Sequence, residues 1–129
     1  MAKPKKSAWL IIQYKKEVLL LKRGPKANNP GLWNFPGGNM DEGETAPQSA
    51  TREAFEESGV KIKPKDVKFL TAVQVKDRYL AFYRVKLDKK PKVTIDFESA
   101  DYGWFPLKKF PKKLHNATKI FTKINKTYL

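Results

Sequence analysis

The chain has 129 residues, of which 40% are hydrophobic and 12% aromatic, and its 27 lysine and arginine residues outnumber 13 acidic ones to give a formal net charge of +14. This length and apolar content predict one domain over residues 1–129 with a real core, and they exclude a disordered chain. The absence of cysteine excludes disulfides and thiolate chemistry and is compatible with a cytoplasmic location.

The excess of positive charge predicts an anionic partner, such as a nucleotide polyphosphate, RNA or DNA. Lysine excess also serves solubility, so the charge alone does not choose among them. No apolar run is long enough to span a membrane, and the basic start lacks the apolar segment of a secretory signal. We therefore expect no membrane partner, and a monomer or a homodimer.

The first elements in chain order are strands. Residues 7–14 and 17–22 are apolar, β-branched or aromatic runs separated by two lysines, which predicts a hairpin in a largely buried sheet. Residues 26–31 contain the Asn, Pro and Gly of a loop. Residues 32–35 then predict a short strand that runs into a tight glycine turn, Phe35-Pro36-Gly37-Gly38.

The segment 38–60 is an acidic island in this basic chain, with six of the thirteen acidic residues. Thr45 and Gln48 have the spacing of a capping box, and Pro47 is tolerated in a first helical turn. Gly59 stands where a left-handed C-terminal cap is expected. The segment therefore predicts a helix that begins after Thr45 and ends before Gly59.

Three glutamates of this predicted helix, Glu53, Glu56 and Glu57, share one face at i, i+3 and i+4. Carboxylates this close raise one another's pKa unless a cation lies among them, and Mg²⁺ and Mn²⁺ prefer oxygen ligands. A Glu-rich helix face that is simply solvated is the alternative. The preceding glycines favour the metal, because they let the main chain approach a ligand or offer a carbonyl.

The remaining elements complete a layered fold. Residues 67–76 and 79–87 alternate as paired strands, residues 93–97 and 102–105 predict two shorter strands, and residues 114–126 have the spacing of a second helix. A polar connector over residues 61–66 joins the first helix to this sheet. Burying both faces of the sheet predicts an α/β fold in which helices cover it on both sides.

The order Gly38, five residues, Glu44, seven residues, then Arg52-Glu53-Ala54-Phe55-Glu56-Glu57-Ser58-Gly59-Val60 resembles the signature box of the Nudix hydrolases. The flanking sequences GLWNFPGG and DYGWFPL resemble that family as well. The resemblance implies an α/β/α sandwich with a mixed sheet. It also implies hydrolysis of a nucleoside diphosphate linked to another moiety, X, with Mg²⁺ or Mn²⁺ as cofactor.

The resemblance also implies roles for residues of the box. Glu53, Glu56 and Glu57 would ligate the metal, with the Gly37 carbonyl as a further ligand, and Glu53 would orient or deprotonate the attacking water. Arg52 would pair with a glutamate and fix its rotamer. Glu44 would support the site in a similar way, or its negative charge would interact favourably with the positive N-terminus of the helix.

Four residues outside these roles are candidates for metal or substrate binding. Glu98 is the candidate for an extra metal-binding carboxylate, with Asp101 as its competitor. Arg23, at the end of the second strand, is a candidate for contacting phosphate. Asn116, in the final loop, is a candidate for recognising a purine edge. Residues near these positions have these roles in MutT-like enzymes.

Substrate contact is also expected at the main chain and at aromatic rings. The Gly38 main chain is expected to approach the substrate closely. Phe35 and Tyr79 are candidates for stacking on a base, although strand aromatics are more often core residues.

The substrate class remains open at this level. The compact chain and its WNFPGG turn favour a MutT-like (d)NTP pyrophosphohydrolase that releases a monophosphate and pyrophosphate. Dinucleoside polyphosphates, nucleotide sugars and RNA 5′ ends are alternatives. A nucleic-acid-binding module is a different alternative, which rests on lysines in two basic tails. These lysines are Lys3, Lys5, Lys6, Lys108, Lys109, Lys112, Lys113, Lys119, Lys123 and Lys126.

Overall fold

A computed structural model describes residues 4–124 of the chain. Within that range lie seven strands, two α-helices and one short 3₁₀ helix. The strands are β1 (Lys5–Tyr14), β2 (Glu17–Arg23), β3 (Trp33–Asn34), β4 (Gly37–Asn39), β5 (Lys68–Val75), β6 (Arg78–Leu87) and β7 (Ser99–Pro106). The helices are α1 (Ala46–Ser58), the 3₁₀ turn (Pro64–Asp66) and α2 (Asn116–Ile124).

The strands form one mixed sheet. Its order is β3-β2-β1-β6-β5, with β4 paired to β1 and β7 paired to β2. The long central strands β1 and β6 are parallel over ten residue pairs, and every other pairing is antiparallel. The expected mixed sheet flanked by helices is therefore confirmed.

Alternation along β1 divides the core into two halves. Leu10 and Ile12 face α1 and pack in a cluster with Ala50 and Ala54 of that helix. Trp9 and Ile11 face the other side, where they share a cluster with the α2 residues Ala117 and Phe121. Because successive strand side chains point to opposite faces, a single strand supplies both layers.

The capping residues of α1 behave as the sequence predicts. The Gln48 N–H donates to the Thr45 hydroxyl at 3.2 Å, and the Thr45 N–H donates to the Gln48 side chain at 2.9 Å. Gly59 has φ of 72°, and its N–H donates to the Phe55 carbonyl at 2.9 Å. These contacts satisfy backbone groups that helix ends leave open, and they fix the position of α1 along the chain.

Three predicted elements differ from the structure. The prediction of a strand over residues 93–97 is wrong. Val93 and Ile95 pack on the α1-side core, and the Thr94 N–H donates to the Ser58 carbonyl at the end of α1. The glycine turn is partly a strand, since β4 pairs with β1. The helix expected over residues 114–126 begins later, at Asn116, and Lys126 lies outside the described residues.

In the described range 4–124, neither helix has the length and apolar character needed to cross a membrane.

Candidate active site

The glycines of β4 bring the main chain against α1. A Cβ on Gly37, whose φ is 149°, would lie 2.4 Å from the Ala8 carbonyl oxygen, so only glycine fits between β1 and the helix. Its N–H donates a 2.8 Å hydrogen bond to the Glu57 carboxylate. The turn therefore positions one of the predicted glutamates directly.

Gly38 leaves space for a second glutamate. A Cβ at this position would lie 3.2 Å from the carboxyl carbon and from one carboxyl oxygen of Glu53. The side chain of Glu53 is 18% exposed, so its carboxylate lies mostly buried beside the glycine backbone. Adjacent glycines thus leave room for two carboxylates, each next to a different residue of β4.

Burial raises the pKa of both carboxyls. The pKa of Glu57 rises to about 8, chiefly through loss of solvation and also through the negative charges of Glu53 and Asp96, against the hydrogen bond from Gly37 and the charge of Arg23. Burial likewise raises the pKa of Glu53, which Arg52 partly offsets. A bound cation would favour the charged form of both groups.

Arg52 holds the surrounding acidic groups in place. Its guanidinium donates to both Glu44 oxygens, at 2.6 and 3.0 Å, and to the Glu56 carboxylate at 3.0 Å. It also lies 3.2 Å from a Glu53 oxygen and 3.4 Å from Asp41. The hydrogen bond from Arg52 lowers the pKa of Glu44 and keeps that carboxylate charged.

The three predicted glutamates do not play equal parts in this arrangement. Glu53 and Glu57 turn inward, whereas Glu56 is 52% exposed and is bound by Arg52. The helix spacing is right, but the arginine one turn earlier draws Glu56 away along the solvent side of the helix.

The inward pair opens onto a polar cavity of about 330 Å³, here called the carboxylate cavity. Arg23 and Arg78 bring positive charge to its lining, and Glu98 adds a third acid. Its other lining residues are Trp9, Asn28, Asn29, Gly37, Gly38, Asn39 and His115. A cavity with paired acids and nearby arginines suits a ligand that carries both phosphate and a cation.

The donor set fits a hard divalent ion. Among residues 4–124, no three His, Asp or Glu side chains lie close enough together to hold an ion by themselves. Mg²⁺, however, usually takes one or two carboxylates and completes its shell with water and substrate phosphates. Glu53 and Glu57 supply that number of carboxylates in a buried position, where a cation would relieve the repulsion between them.

The structure separates the other candidate residues. Arg23 and Glu98 line the carboxylate cavity, whereas Asp101 is exposed on β7 and accepts a hydrogen bond from the Tyr102 N–H. Asn116 is not in a loop, because it is the first residue of α2. It lines a neighbouring cavity of about 360 Å³ that shares Arg78 and His115 with the carboxylate cavity.

The stacking expected of Phe35 does not fit the structure. Phe35 is 1% exposed, and its ring packs edge-on against the rings of Phe110 and Phe121, so no base can reach it. Tyr79 lies half-buried on β6, and it does not line the carboxylate cavity or the cavity beside α2.

Six residues that line the carboxylate cavity were not among the sequence candidates, and two of them, Arg78 and His115, are basic. Arg78 begins β6, and His115 precedes α2, where its Nδ1 accepts a hydrogen bond from the Ala117 N–H at 3.3 Å. Burial, together with the charges of Arg23 and Arg78, lowers the pKa of His115 to about 4, so the ring is neutral at pH 7. Only the parallel pairing of β1 with β6 brings Arg78 to the site, and no local pattern signals it.

Comparison with a family model finds a match over nearly the whole chain. The model described as the NUDIX domain matches residues 3–123. The chain is similar to the RNA pyrophosphohydrolase of Baumannia cicadellinicola, with 42% identity over 60 residues, which is 46% of this chain and 36% of that protein. It is 30% identical over 105 residues to mouse 8-oxo-dGDP phosphatase NUDT18, covering 76% of this chain and 31% of the relative. The chain thus spans about a third of the length of these curated relatives.

Solved structures show the same fold. The MutT protein of Methanosarcina mazei Go1 superposes with a TM-score of 0.74 at 25% identity, covering 98% of this chain and 99% of that one. A MutT NUDIX hydrolase from Burkholderia pseudomallei gives a TM-score of 0.77 at 24% identity, covering 95% and 98%.

Proposed function

Because the chain belongs to the Nudix hydrolase family, we propose that it hydrolyses a nucleoside diphosphate linked to a further moiety, X, with Mg²⁺ or Mn²⁺. The proposed substrate is a (d)NTP, which water would cleave to a nucleoside monophosphate and pyrophosphate. The observation that carries this proposal is the buried pair Glu53 and Glu57 beside two glycines, in a cavity that also contains arginines.

A divalent ion at this site would neutralise phosphate oxygens and lower the pKa of a bound water. Glu53 and Glu57 are the proposed ligands, with the Gly37 carbonyl as a further oxygen donor. Glu98 lines the same cavity but lies too far away for all three carboxylates to hold one ion. Glu53 is also the proposed group that orients the water and takes its proton. Arg52 would hold the Glu53 side chain in position, because its guanidinium contacts Glu53 and also binds Glu44 and Glu56.

Arg23 and Arg78 would bind the phosphates of the substrate. Both line the carboxylate cavity, and both lie close enough to His115 to lower its pKa electrostatically. Guanidinium groups bind phosphate oxygens bidentately. They would hold the polyphosphate next to the glutamates despite the repulsion between the negative charges.

The cavity beside α2 is the proposed binding site for the nucleoside at the other end of the substrate. Leu80 and Ile120 provide apolar surface there, while Asn116 offers both a donor and an acceptor. This cavity shares Arg78 and His115 with the carboxylate cavity, so one nucleotide could extend from one to the other. The (d)NTP proposal therefore assigns the base to Asn116 and the phosphates to the arginines.

Initial rates across (d)NTPs, nucleotide sugars and dinucleoside polyphosphates, with Mg²⁺ or Mn²⁺, test the proposal. We expect (d)NTPs to be cleaved fastest, with monophosphate and pyrophosphate as products separated by ion-exchange chromatography. Formation of no cleavage product from any member of the panel would overturn the hydrolase proposal. Faster cleavage of another class would overturn only the choice of substrate.

A second candidate substrate is the triphosphate at an RNA 5′ end. It is favoured by the 42% identity to the RNA pyrophosphohydrolases of Baumannia cicadellinicola and Shewanella denitrificans over 60 residues each. A short RNA with a 5′-triphosphate, included in the same panel, distinguishes it. Pyrophosphate release from this RNA at a higher kcat/KM than from (d)NTPs would support it.

A further inference from the structure

A second concave surface lies far from the carboxylate cavity. It has a volume of about 540 Å³ and is here called the basic hollow. The residues that line it are Lys61, Ile62, Lys63, Asp66, Lys68, Arg84, Val85, Lys86 and Leu87. Five of these nine residues are cationic and one is acidic, so the hollow presents a strongly positive surface.

The basic hollow is separate from the proposed catalytic centre. Arg78, at the start of β6, lines the carboxylate cavity, whereas Val85, seven residues further along the same strand, lines the hollow. At about 3.3 Å per residue, this separation along the strand is about 23 Å. A ligand of the hollow therefore does not compete for the glutamate pair.

Internal ion pairs do not account for the lysines of the hollow. All four are exposed, and none of them forms a salt bridge with any residue in the range 4–124. Grouping like charges in a concave surface raises their repulsion, and a bound polyanion would relieve it. The charge of the hollow thus complements a phosphate backbone.

An exposed aromatic ring lies beside the hollow. Phe69 follows Lys68 on β5, and its ring is edge-on to the Tyr83 ring at 5.5 Å. Phe69 is 53% exposed, which is costly for so large an apolar side chain. Tyr83 and Val85 are alternate residues of β6 and face the same side of the sheet as Phe69, whereas Lys68, Arg84 and Lys86 project from the other side. Ile62 packs on the same core cluster as Tyr83, so the segment that carries Lys61 and Lys63 lies on the ring-pair side of the hollow.

We infer that the basic hollow and Phe69 form a binding site for single-stranded nucleic acid. Surfaces that bind single strands without sequence preference combine a positive groove for the backbone with aromatic rings on which bases stack. Here Lys61 and Lys63 would contact phosphates and Phe69 would stack on a base. The site does not depend on the proposed hydrolysis, because none of its residues lines the carboxylate cavity.

Fluorescence anisotropy with a labelled single-stranded RNA of about twelve nucleotides, carrying no 5′-triphosphate, tests the inference. The hollow variant is Lys61→Gln/Lys63→Gln, and the matched control is Lys108→Gln/Lys109→Gln. The two variants lose the same charge, but the control lysines lie before α2 and outside the hollow. Far-UV circular dichroism and thermal melting check that each variant is folded.

We expect the hollow variant to bind the RNA at least tenfold more weakly, while the control variant changes about twofold or less. The slope of log K against log salt should fall by about 1.4 in the hollow variant only, because two phosphate contacts are lost. Phe69→Ala should weaken binding about tenfold with an unchanged salt slope. Hydrolysis of the preferred nucleotide should stay unchanged in all three variants.

Three results would overturn the inference. The first is an absence of RNA binding by the parent protein at physiological salt. The second is an equal loss in the hollow and control variants, because binding would then follow net charge alone. The third is a combination of two results: inorganic tripolyphosphate displaces the RNA at equal phosphate concentration, and Phe69→Ala does not weaken RNA binding. The ligand would then be free polyphosphate.

Discussion

The Gly37 backbone N–H donates a 2.8 Å hydrogen bond to the carboxylate of Glu57, twenty residues further along the chain. This bond joins the glycine strand to the last turn of α1 and orients a carboxylate that is otherwise surrounded by protein. Because burial raises the pKa of that carboxyl to about 8, the bond alone does not compensate for its lost solvation. A bound cation would offset this cost, as the proposed function requires, and the predictions that follow depend on it.

Replacing either inward glutamate should abolish most of the hydrolysis. Glu53→Gln and Glu57→Gln keep the shape of the side chain but remove its charge, so we expect kcat for the best nucleotide to fall by about 10²–10⁴-fold. Glu42→Gln is the matched control, because Glu42 is exposed in the loop before α1. Rates within threefold of the parent for both inward variants would contradict the assigned roles.

The two adjacent glycines should respond differently to a methyl group. Gly37→Ala forces a Cβ to 2.4 Å from the Ala8 carbonyl oxygen, and we expect it to lower the free energy of unfolding by about 2–4 kcal/mol. In Gly38→Ala the nearest atoms to the new Cβ belong to the Glu53 carboxylate, at 3.2 Å, so we expect stability to change by less than about 1 kcal/mol but kcat to fall about tenfold or more. Denaturant unfolding and steady-state kinetics measure the two effects, and the reverse pattern would refute this geometry.

Arg52 and Glu44 should be energetically coupled. Their two hydrogen bonds, at 2.6 and 3.0 Å, are charge-assisted and partly shielded from solvent. A double-mutant cycle with Arg52→Gln and Glu44→Gln should give a coupling free energy of unfolding of about 1–3 kcal/mol. Additive effects of the two substitutions would show that the pair contributes nothing beyond its separate side chains.

The stability of the metal-free protein should fall as pH rises from 6.5 to 8. The folded state holds the Glu57 proton up to a pKa of about 8, whereas the unfolded chain loses it near 4.5, so folding binds more protons across this window. His115 has the opposite effect, because its lowered pKa of about 4 makes the folded state gain stability as pH rises, but only up to about 6.5. Above 6.5 the Glu57 effect remains, with a slope of up to about 1.4 kcal/mol per pH unit.

Thermal melting in the presence of a chelator measures this pH effect. Glu57→Gln should remove the decline between pH 6.5 and 8, while Glu42→Gln should leave it in place. Mg²⁺ added to the parent should raise the melting temperature more at pH 8 than at pH 6.5, because it binds the ionised carboxylates. A parent protein whose stability is flat or rises across this window would be inconsistent with a protonated Glu57.

Local sequence signals predicted the parts of the fold and site that depend on neighbouring residues. Thr45, Gln48 and Gly59 fixed both ends of α1, because capping acts within a few residues of the helix end. The same helical periodicity put Glu53, Glu56 and Glu57 on one face. It did not predict that Arg52 would draw Glu56 toward solvent, since that depends on rotamers and on the exposed side of the helix.

Long-range pairing accounts for most of what the sequence did not predict. Arg78 reaches the carboxylate cavity because β6 runs parallel to β1, and the alternation of β6 carries no information about its partner strand. Phe35 was a candidate for stacking, but only the tertiary packing shows that its ring is enclosed by Phe110 and by Phe121 of α2. The segment 93–97 has strand-like composition, yet it packs on the core and against the end of α1 without pairing.

Binding of Mn²⁺, measured by electron paramagnetic resonance in the absence of substrate, tests the glutamate pair most directly. We expect the parent protein to bind the ion, Glu53→Gln and Glu57→Gln to weaken binding about tenfold or more, and Glu42→Gln to match the parent. A parent that leaves Mn²⁺ free in solution, or equal affinities in all four proteins, would contradict the claim that these two carboxylates form the metal site.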